Sequence, residues 1–315
     1  MTDFRPGLHF GLSDADYHGD TLAPEPSLSS TLARKIVNQS PLHAWTAHPR
    51  LNPDWEPRNS DAFDIGKAFH TMVLGRGAGI HVIHADDWRG KEARAERDAA
   101  RAEGLTPLLV AQADALGQML DHAERRMRDS GVIIDKERTE VAAFARIESV
   151  WCRALIDYAP ADASKPLYDI KTCEDASPDA CARSVASYGY DTQARWYLDA
   201  WKAATGEDRR FRFVFVEKSP PHEVSVIELD ANAENDTDWM LDAASKCSEA
   251  RRVWRECLDA NQWPGYPSRV ALIGAPGWYR QSWAAREIGQ PVIPSKPSAA
   301  ALKAARAAQA PEMQS

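Results

Sequence analysis

Val150-Trp-Cys-Arg-Ala-Leu-Ile-Asp157, then Tyr158 to Lys165, then Pro166-Leu-Tyr-Asp-Ile-Lys-Thr172 is the stretch that decides the fold of this 315-residue chain. The first and last pieces are rich in β-branched, aromatic and alternating apolar positions. The polar middle, with Pro160, Asp162 and Ser164, has the composition of a turn, so two adjacent strands are predicted. Side chains alternate along a strand, which puts Asp169 and Lys171 on one face and turns Ile170 into a core. Two carboxylates and an ammonium thereby come within reach of one another. Hard divalent cations take oxygen ligands of this kind, and a cation so held lowers the pKa of bound water and stabilises charge growing on phosphorus. Lys171 would then orient or deprotonate that water. Alone, an Asp-x-Lys strand is more often a solvated face.

Flanking segments add candidates. Asp64-Ile-Gly-Lys-Ala-Phe-His70 opens a helix continuing to Leu74 and ended by Gly75, Gly77 and Gly79; its His70 can offer an imidazole to a metal or a phosphate. Glu140 opens a strand, Thr139 to Ile147. Downstream, Tyr190 to Trp201 has a helical pattern that sets Gln193 and Tyr197 four apart on one face. Further strands are expected at Phe211–Glu217 and Glu223–Leu229, and a long helix at about 234–261. A helix over Ser29–Val37 is introduced by Ser27, Ser29 and Ser30, and Ser40-Pro41 ends it and can start another. Over roughly Lys91–Glu103 and Val110–Ser130 the pattern is helical, with no strand pattern in this region. The resulting order predicts an α/β fold with a mixed central sheet flanked by helices and a helical N-terminal elaboration.

In order along the chain, Gly-x-x-x-His, Glu, Asp, Asp-x-Lys and Gln-x-x-x-Tyr resemble the PD-(D/E)xK nuclease superfamily with its restriction-endonuclease-like core. More narrowly, the chain resembles the RecE-type exodeoxyribonuclease VIII exonucleases of phages and prophages. The stretches that carry the resemblance are Leu28 to Arg34 with Ser40 to Ala44, Ile65 to Gly75, Trp88 to Ala93, Arg153 to Lys171 and Gln193 to Tyr197, so it covers roughly residues 8 to 260. Ile156-Asp157 replaces the Pro-Asp that names the superfamily, and Asp169 stands where Glu is common.

The resemblance implies catalytic roles for His70, Glu140, Asp157, Asp169 and Lys171. It implies a metal held by His70, Glu140, Asp157, Asp169 and the Ile170 backbone carbonyl, and DNA held by Gln193 and Tyr197; Ser29 and Ser30, and Arg94 and Arg97 from their helical spacing, are further candidates to contact it. It also implies Mg²⁺, with Mn²⁺ able to substitute, 5′→3′ resection of double-stranded DNA ends, a ring-shaped homo-oligomer and hand-off to a RecT-like single-strand annealing protein. Two rivals remain open: a structure-specific or restriction-like endonuclease, and a non-catalytic DNA-end-binding scaffold.

Composition sets the outer bounds. Hydrophobic residues make up 44% of the chain, enough for a buried core. No run of about 18 apolar residues is present and no leader-like segment opens the chain, so a cytoplasmic location in a bacterial host, with no membrane contact, is expected. Cys152, Cys173, Cys181, Cys247 and Cys257 show no zinc or disulfide spacing and are expected reduced and packed. The net charge of −8 opposes nucleic-acid binding unless cations cluster locally. Arg94, Arg97 and Arg101 recur at helical spacing, but Glu92, Glu96, Asp98 and Glu103 are interleaved with them, so an ion-paired solvated helix is equally consistent. Trp45 and Trp55 are candidates to stack on a base. One domain is expected over 1–288 (a helical part, 1–135; a core, 136–262; an extension, 263–288), followed by a mobile tail, 289–315.

Overall fold

The turn after Asp157 does bring the two opening strands side by side, at the centre of a seven-stranded mixed sheet. The computed structural model describes residues 4–56, 61–229 and 239–287. The chain divides into a first compact unit, Met1–Tyr266, and a second, Pro267–Ser315. The sheet belongs to the first.

In chain order the first unit contains β1 (Gly7–His9), α1 (Asp14–His18), β2 (Leu28–Ser29), α2 (Ser30–Asn38), α3 (Pro41–Thr46), α4 (Asp61–Leu74), β3 (Ile80–Ile83), α5 (Lys91–Ala102), β4 (Thr106–Leu109) and α6 (Val110–Asp129). There follow β5 (Thr139–Ile147), β6 (Val150–Tyr158), β7 (Leu167–Cys173), α7 (Pro178–Tyr188), α8 (Tyr190–Thr205), β8 (Phe211–Glu217), β9 (Val224–Glu228) and α9 (Trp239–Ala260). The large sheet runs β1-β5-β6-β7-β8-β9, with β2 pairing parallel to β6. β7 and β8 are also parallel, and the remaining pairs are antiparallel.

Apolar faces dictate the layering. On one side α2, α8 and α9 bury Leu32, Trp196, Trp201 and Trp254 with Ala154, Ile156, Phe213 and Phe215 of the strands. On the other, α4 and α6 bury Phe69, Leu74, Leu116 and Met119 over Tyr168, Ile170, Val214 and Val216. Each side chain fully buried this way contributes on the order of 1.5–3 kcal/mol. A smaller cluster, Tyr17, Ala142, Phe144 and Trp151, seats the N-terminal segment on β5 and β6. The chain passes from α7 into α8 through Gly189, whose left-handed φ of +65° and closeness to the Arg34 side chain leave no room for a Cβ without displacement.

The helices and strands expected around Asp157, Asp169 and Gln193 are present. Ser29 caps α2, accepting from the Leu32 N–H at 3.4 Å, and Pro41 occupies the first turn of α3. All five cysteines are free, and Cys173 alone is not fully buried. The helices expected at roughly 91–103 and 110–130 are present as α5 and α6, but β3 and β4, on either side of α5, were not expected and form a two-stranded parallel sheet of their own. Strands of four residues, one containing Pro107, are too short for periodicity to show, and their pairing spans α5. The short β1 and β2 likewise had no signal of their own; each exists because a longer strand accepts it. The expected start of the last helix and the 289–315 tail lie outside the described residues. The second unit contains α10 (Gly277–Glu287).

Candidate active site

Strand register builds the site. Thr139 pairs with Tyr158 and Val141 with Ile156, which puts Glu140 level with Asp157. Tyr158 pairs with Tyr168, which puts Asp157 level with Asp169. Three acids therefore form one row across β5, β6 and β7. Neither junction in the row is an ordinary ladder rung. Glu140 has a left-handed φ of +47°, and Tyr158–Tyr168 is the single paired position between β6 and β7. Beyond that pair the strands part, and the Ile170 N–H is satisfied instead by Asp157 Oδ2 at 2.6 Å.

Asp169 is nearly fully buried. Gln193 on α8 donates Nε2–H to its Oδ1 at 2.6 Å, and the Lys171 ammonium lies 2.5 Å from its Oδ2. Lys171 also sits over the Tyr190 ring, 4.9 Å from its centroid. His70 reaches in from α4, its Nδ1 3.7 Å from Asp157 Oδ2.

The electrostatics follow from this crowding. Burial, then the neighbouring Asp169 charge, raise the Asp157 carboxyl well above the usual range. Burial, then Asp14 and Asp157, push Glu140 up to about 7. His70 is lowered, first by burial and then by the Lys171 charge; a hydrogen bond to the Ile170 backbone works in the opposite sense. Burial alone would lower Lys171, but Asp169 and Asp157 outweigh it and raise its pKa. Three crowded carboxyls, Asp169 nearly buried and paired with Lys171, make a set of hard oxygen donors that carries more negative than positive charge. That set fits a divalent cation. Among the described residues no three His, Cys, Asp or Glu side chains are grouped closely enough to hold a metal ion by themselves, and a hard cation bound by one or two carboxylates takes its remaining oxygens from water and substrate.

The row stands at the meeting of two adjoining cavities of about 720 and 780 Å³. Both are lined by Asp14, His18, Lys67, Leu155, Asp157 and Lys171. The first cavity adds His70, Glu140, Arg76 and Arg101; the second adds Ser29, Ser30, Trp55, Gln193 and Tyr197. Tyr197 is buried edge-on against Phe211, and burial raises its hydroxyl well above the usual tyrosine value. Arg94 is exposed and lines neither cavity, while Arg97 pairs with Asp98 at 2.9 Å and packs over Trp88. From the arginine stripe it is Arg101 that reaches the cleft.

Sequence reasoning passed over Asp14, His18, Lys67, Arg76 and Tyr190, all at the cleft, and the brace behind it. In that brace buried Asp20 pairs with Arg153 at 2.7 Å and lies 3.3 Å from His48, and it accepts from the Ser27 hydroxyl and N–H. Arg153 in turn donates to the Ser27 carbonyl at 2.7 Å, fixing the N-terminal segment to β6. Lys67 and Arg76 flank the Gly-x-x-x-His segment closely enough that the motif itself was the available signal; the others are joined only by long-range folding.

Comparison with known proteins agrees with this architecture. No curated protein matches the chain significantly. A solved structure from Eubacterium rectale, named "putative exonuclease", superposes with a TM-score of 0.55 at 12% identity, covering 85% of this chain and 97% of that one. At that identity the likeness shows the fold. A family model described as a PDDEXK-like domain of unknown function matches residues 31–275. Family and fold together support a nuclease, and nucleases of this type generally use divalent metal ions. The chain belongs to this PDDEXK-like family.

Proposed function

We propose that this protein is a Mg²⁺-dependent DNA exonuclease that resects one strand of a linear duplex. The observation that carries the reading is the row of Glu140, Asp157 and Asp169 across three strands, with Lys171 paired to its last member. Asp157 and Asp169, with Glu140, His70 and the Ile170 carbonyl beside them, would hold the cation, and Mn²⁺ offers the same charge and oxygen preference. The bound ion supplies an acidified water and charge neutralisation at the phosphate. Gln193 keeps Asp169 oriented by its 2.6 Å hydrogen bond. Lys171, kept cationic by Asp169 and Asp157, orients the attacking water or meets the charge that develops on the phosphate. Ser29, Ser30 and Tyr197 line the cavity through which the strand would approach.

Resemblance to RecE-type enzymes, and the name of the Eubacterium rectale neighbour, support action from a DNA end. The same resemblance supports 5′→3′ polarity, a ring-shaped oligomer, transfer of the new single strand to a RecT-like annealing protein, and work in the bacterial cytoplasm. Among the described residues no helix is long and apolar enough to cross a membrane. The test is digestion of 5′- and 3′-labelled linear duplex beside relaxed closed circles, in Mg²⁺ and in EDTA. Progressive loss of label from linear DNA in Mg²⁺ alone is expected. Rapid cutting of closed circles would replace this reading with an endonuclease, and inertness on every substrate would replace it with a binding scaffold.

A further inference from the structure

The two cavities that meet at the acid row differ in chemistry. The one reached past Gln193 is walled by Tyr17, Leu32, Ala47, Pro49 and Trp55. The one under α4 carries Arg76 and Arg101 with Thr71 and Thr106, and Lys67 stands where the two meet, lining both. Several cations elsewhere in the molecule are ion-paired: Arg126 with Glu223, Arg195 with Asp199, Arg251 with Glu148 and Arg252 with Glu249. No ion pair joins Lys67 or Arg76 to a carboxylate among the described residues. The Arg76 Nε is buried without a hydrogen-bond partner.

The local backbone holds Arg76 in place. Gly77 has a φ of +114°, and a Cβ there would meet the Thr71 hydroxyl at 2.7 Å, so the chain turns tightly off the end of α4. The guanidinium then lies against Gly11, whose missing side chain leaves room for it; a Cβ there would stand 3.4 Å from Nη1. Arg76 is close enough to Glu140 to lower its pKa, and Lys67 close enough to His18 to do the same. Two positive groups are thus maintained, without partners of their own, beside three carboxylates that would repel a polyanion.

Resting on the nuclease reading, we propose that Lys67 and Arg76 form a phosphate subsite on the α4 side of the acid row. It takes a backbone phosphate of the strand being cut, next to but not at the scissile bond. The strand then crosses the metal row, with its phosphates toward Lys67 and Arg76 and its unpaired bases toward the apolar cavity. A fixed cation releases counterions on binding a phosphate, so its removal weakens binding for every sequence alike and flattens the salt dependence.

The full-length protein is titrated onto a fluorescent oligonucleotide in EDTA, as single strand and as duplex, across a KCl series. Lys67→Gln with Arg76→Gln should weaken binding at least about tenfold at moderate salt and reduce the log–log salt slope by about 1 to 2. Lys67→Arg with Arg76→Lys should restore most of the slope, and Arg252→Ala, an exposed charge on α9, should leave it unchanged. With Mg²⁺, the double Gln variant should raise KM much more than it lowers kcat. Lys67→Gln alone, at an exposed position, serves if the double variant unfolds, and should cost about half the slope change. A wild type that binds and cuts DNA while these variants keep its slope and KM overturns the subsite and leaves the nuclease reading standing. A wild type that neither binds nor cuts DNA overturns both.

Discussion

The Asp157 carboxylate takes the place of a missing strand partner: its Oδ2 accepts the Ile170 N–H at 2.6 Å where the β6–β7 ladder has stopped. One side chain thus serves the sheet and the site together. Its removal must be tested by variants that separate these roles. Asp157→Asn keeps an acceptor for the amide and loses the charge, so it should melt within a few degrees of wild type yet show at least about a 10³-fold loss of single-turnover cleavage. Asp157→Ala should lose the same activity and a further 1–3 kcal/mol of stability, the cost of a buried unsatisfied amide. Equal denaturant midpoints for the two variants would show that the hydrogen bond has no structural role.

Lys171 is held between Asp169 at 2.5 Å and the Tyr190 ring, and its charge faces the acid row. Lys171→Ala should lower the single-turnover rate by about 10²-fold or more, the usual worth of a positioned electrostatic or acid–base group. A fall in DNA affinity with an unchanged rate at saturation would make it a phosphate contact instead.

On the proposed reading, in which Asp169 holds the cation, Gln193 is a positioning residue, since its amide is bonded to Asp169. Gln193→Ala should raise the Mg²⁺ concentration for half-maximal activity by about 10–100-fold, as is typical when the partner of a metal ligand is lost, with a smaller effect on the rate at saturating metal. Gln193→Glu adds a negative charge beside buried Asp169 and should be worse in stability. An unchanged metal requirement in Gln193→Ala would remove it from this role.

Glu140 links pH to stability. Its folded-state pKa of about 7 lies above its ordinary 4.5, so protonated Glu140 favours the metal-free fold. That contribution is fully present below about pH 4.5 and is lost as pH rises through 7. His18, His48 and His70, all lowered chiefly by burial, push the other way below their ordinary 6.5. The measurement is therefore the melting difference between wild type and Glu140→Gln in EDTA. The variant should gain relative to wild type from pH 5 to pH 8, and saturating Mg²⁺ should shrink the gain by supplying the missing counter-charge. A difference independent of pH would contradict the burial of this carboxyl among like charges.

What the sequence determined by itself was local. The alternation in Val150–Asp157 and Leu167–Thr172 placed Asp169 and Lys171 on one strand face, and Ile170 is indeed buried on the other. The capping serine at 29 and the proline at 41 marked two helix starts. Such signals survive in sequence because they depend on neighbours within a few residues. The tertiary structure decided the rest. That Glu140 and Asp157 stand level depends on β5–β6 register, and the opening at Asp157 depends on a ladder that ends after one pair. The β3–β4 sheet joins residues 26 apart, and Asp20, His48 and Arg153 meet from three separate segments. Lys67 and Arg76 acquired meaning only when the cleft showed which charges they face. Pairing, register and burial are set by contacts distant in the chain, and a single sequence carries no local trace of them.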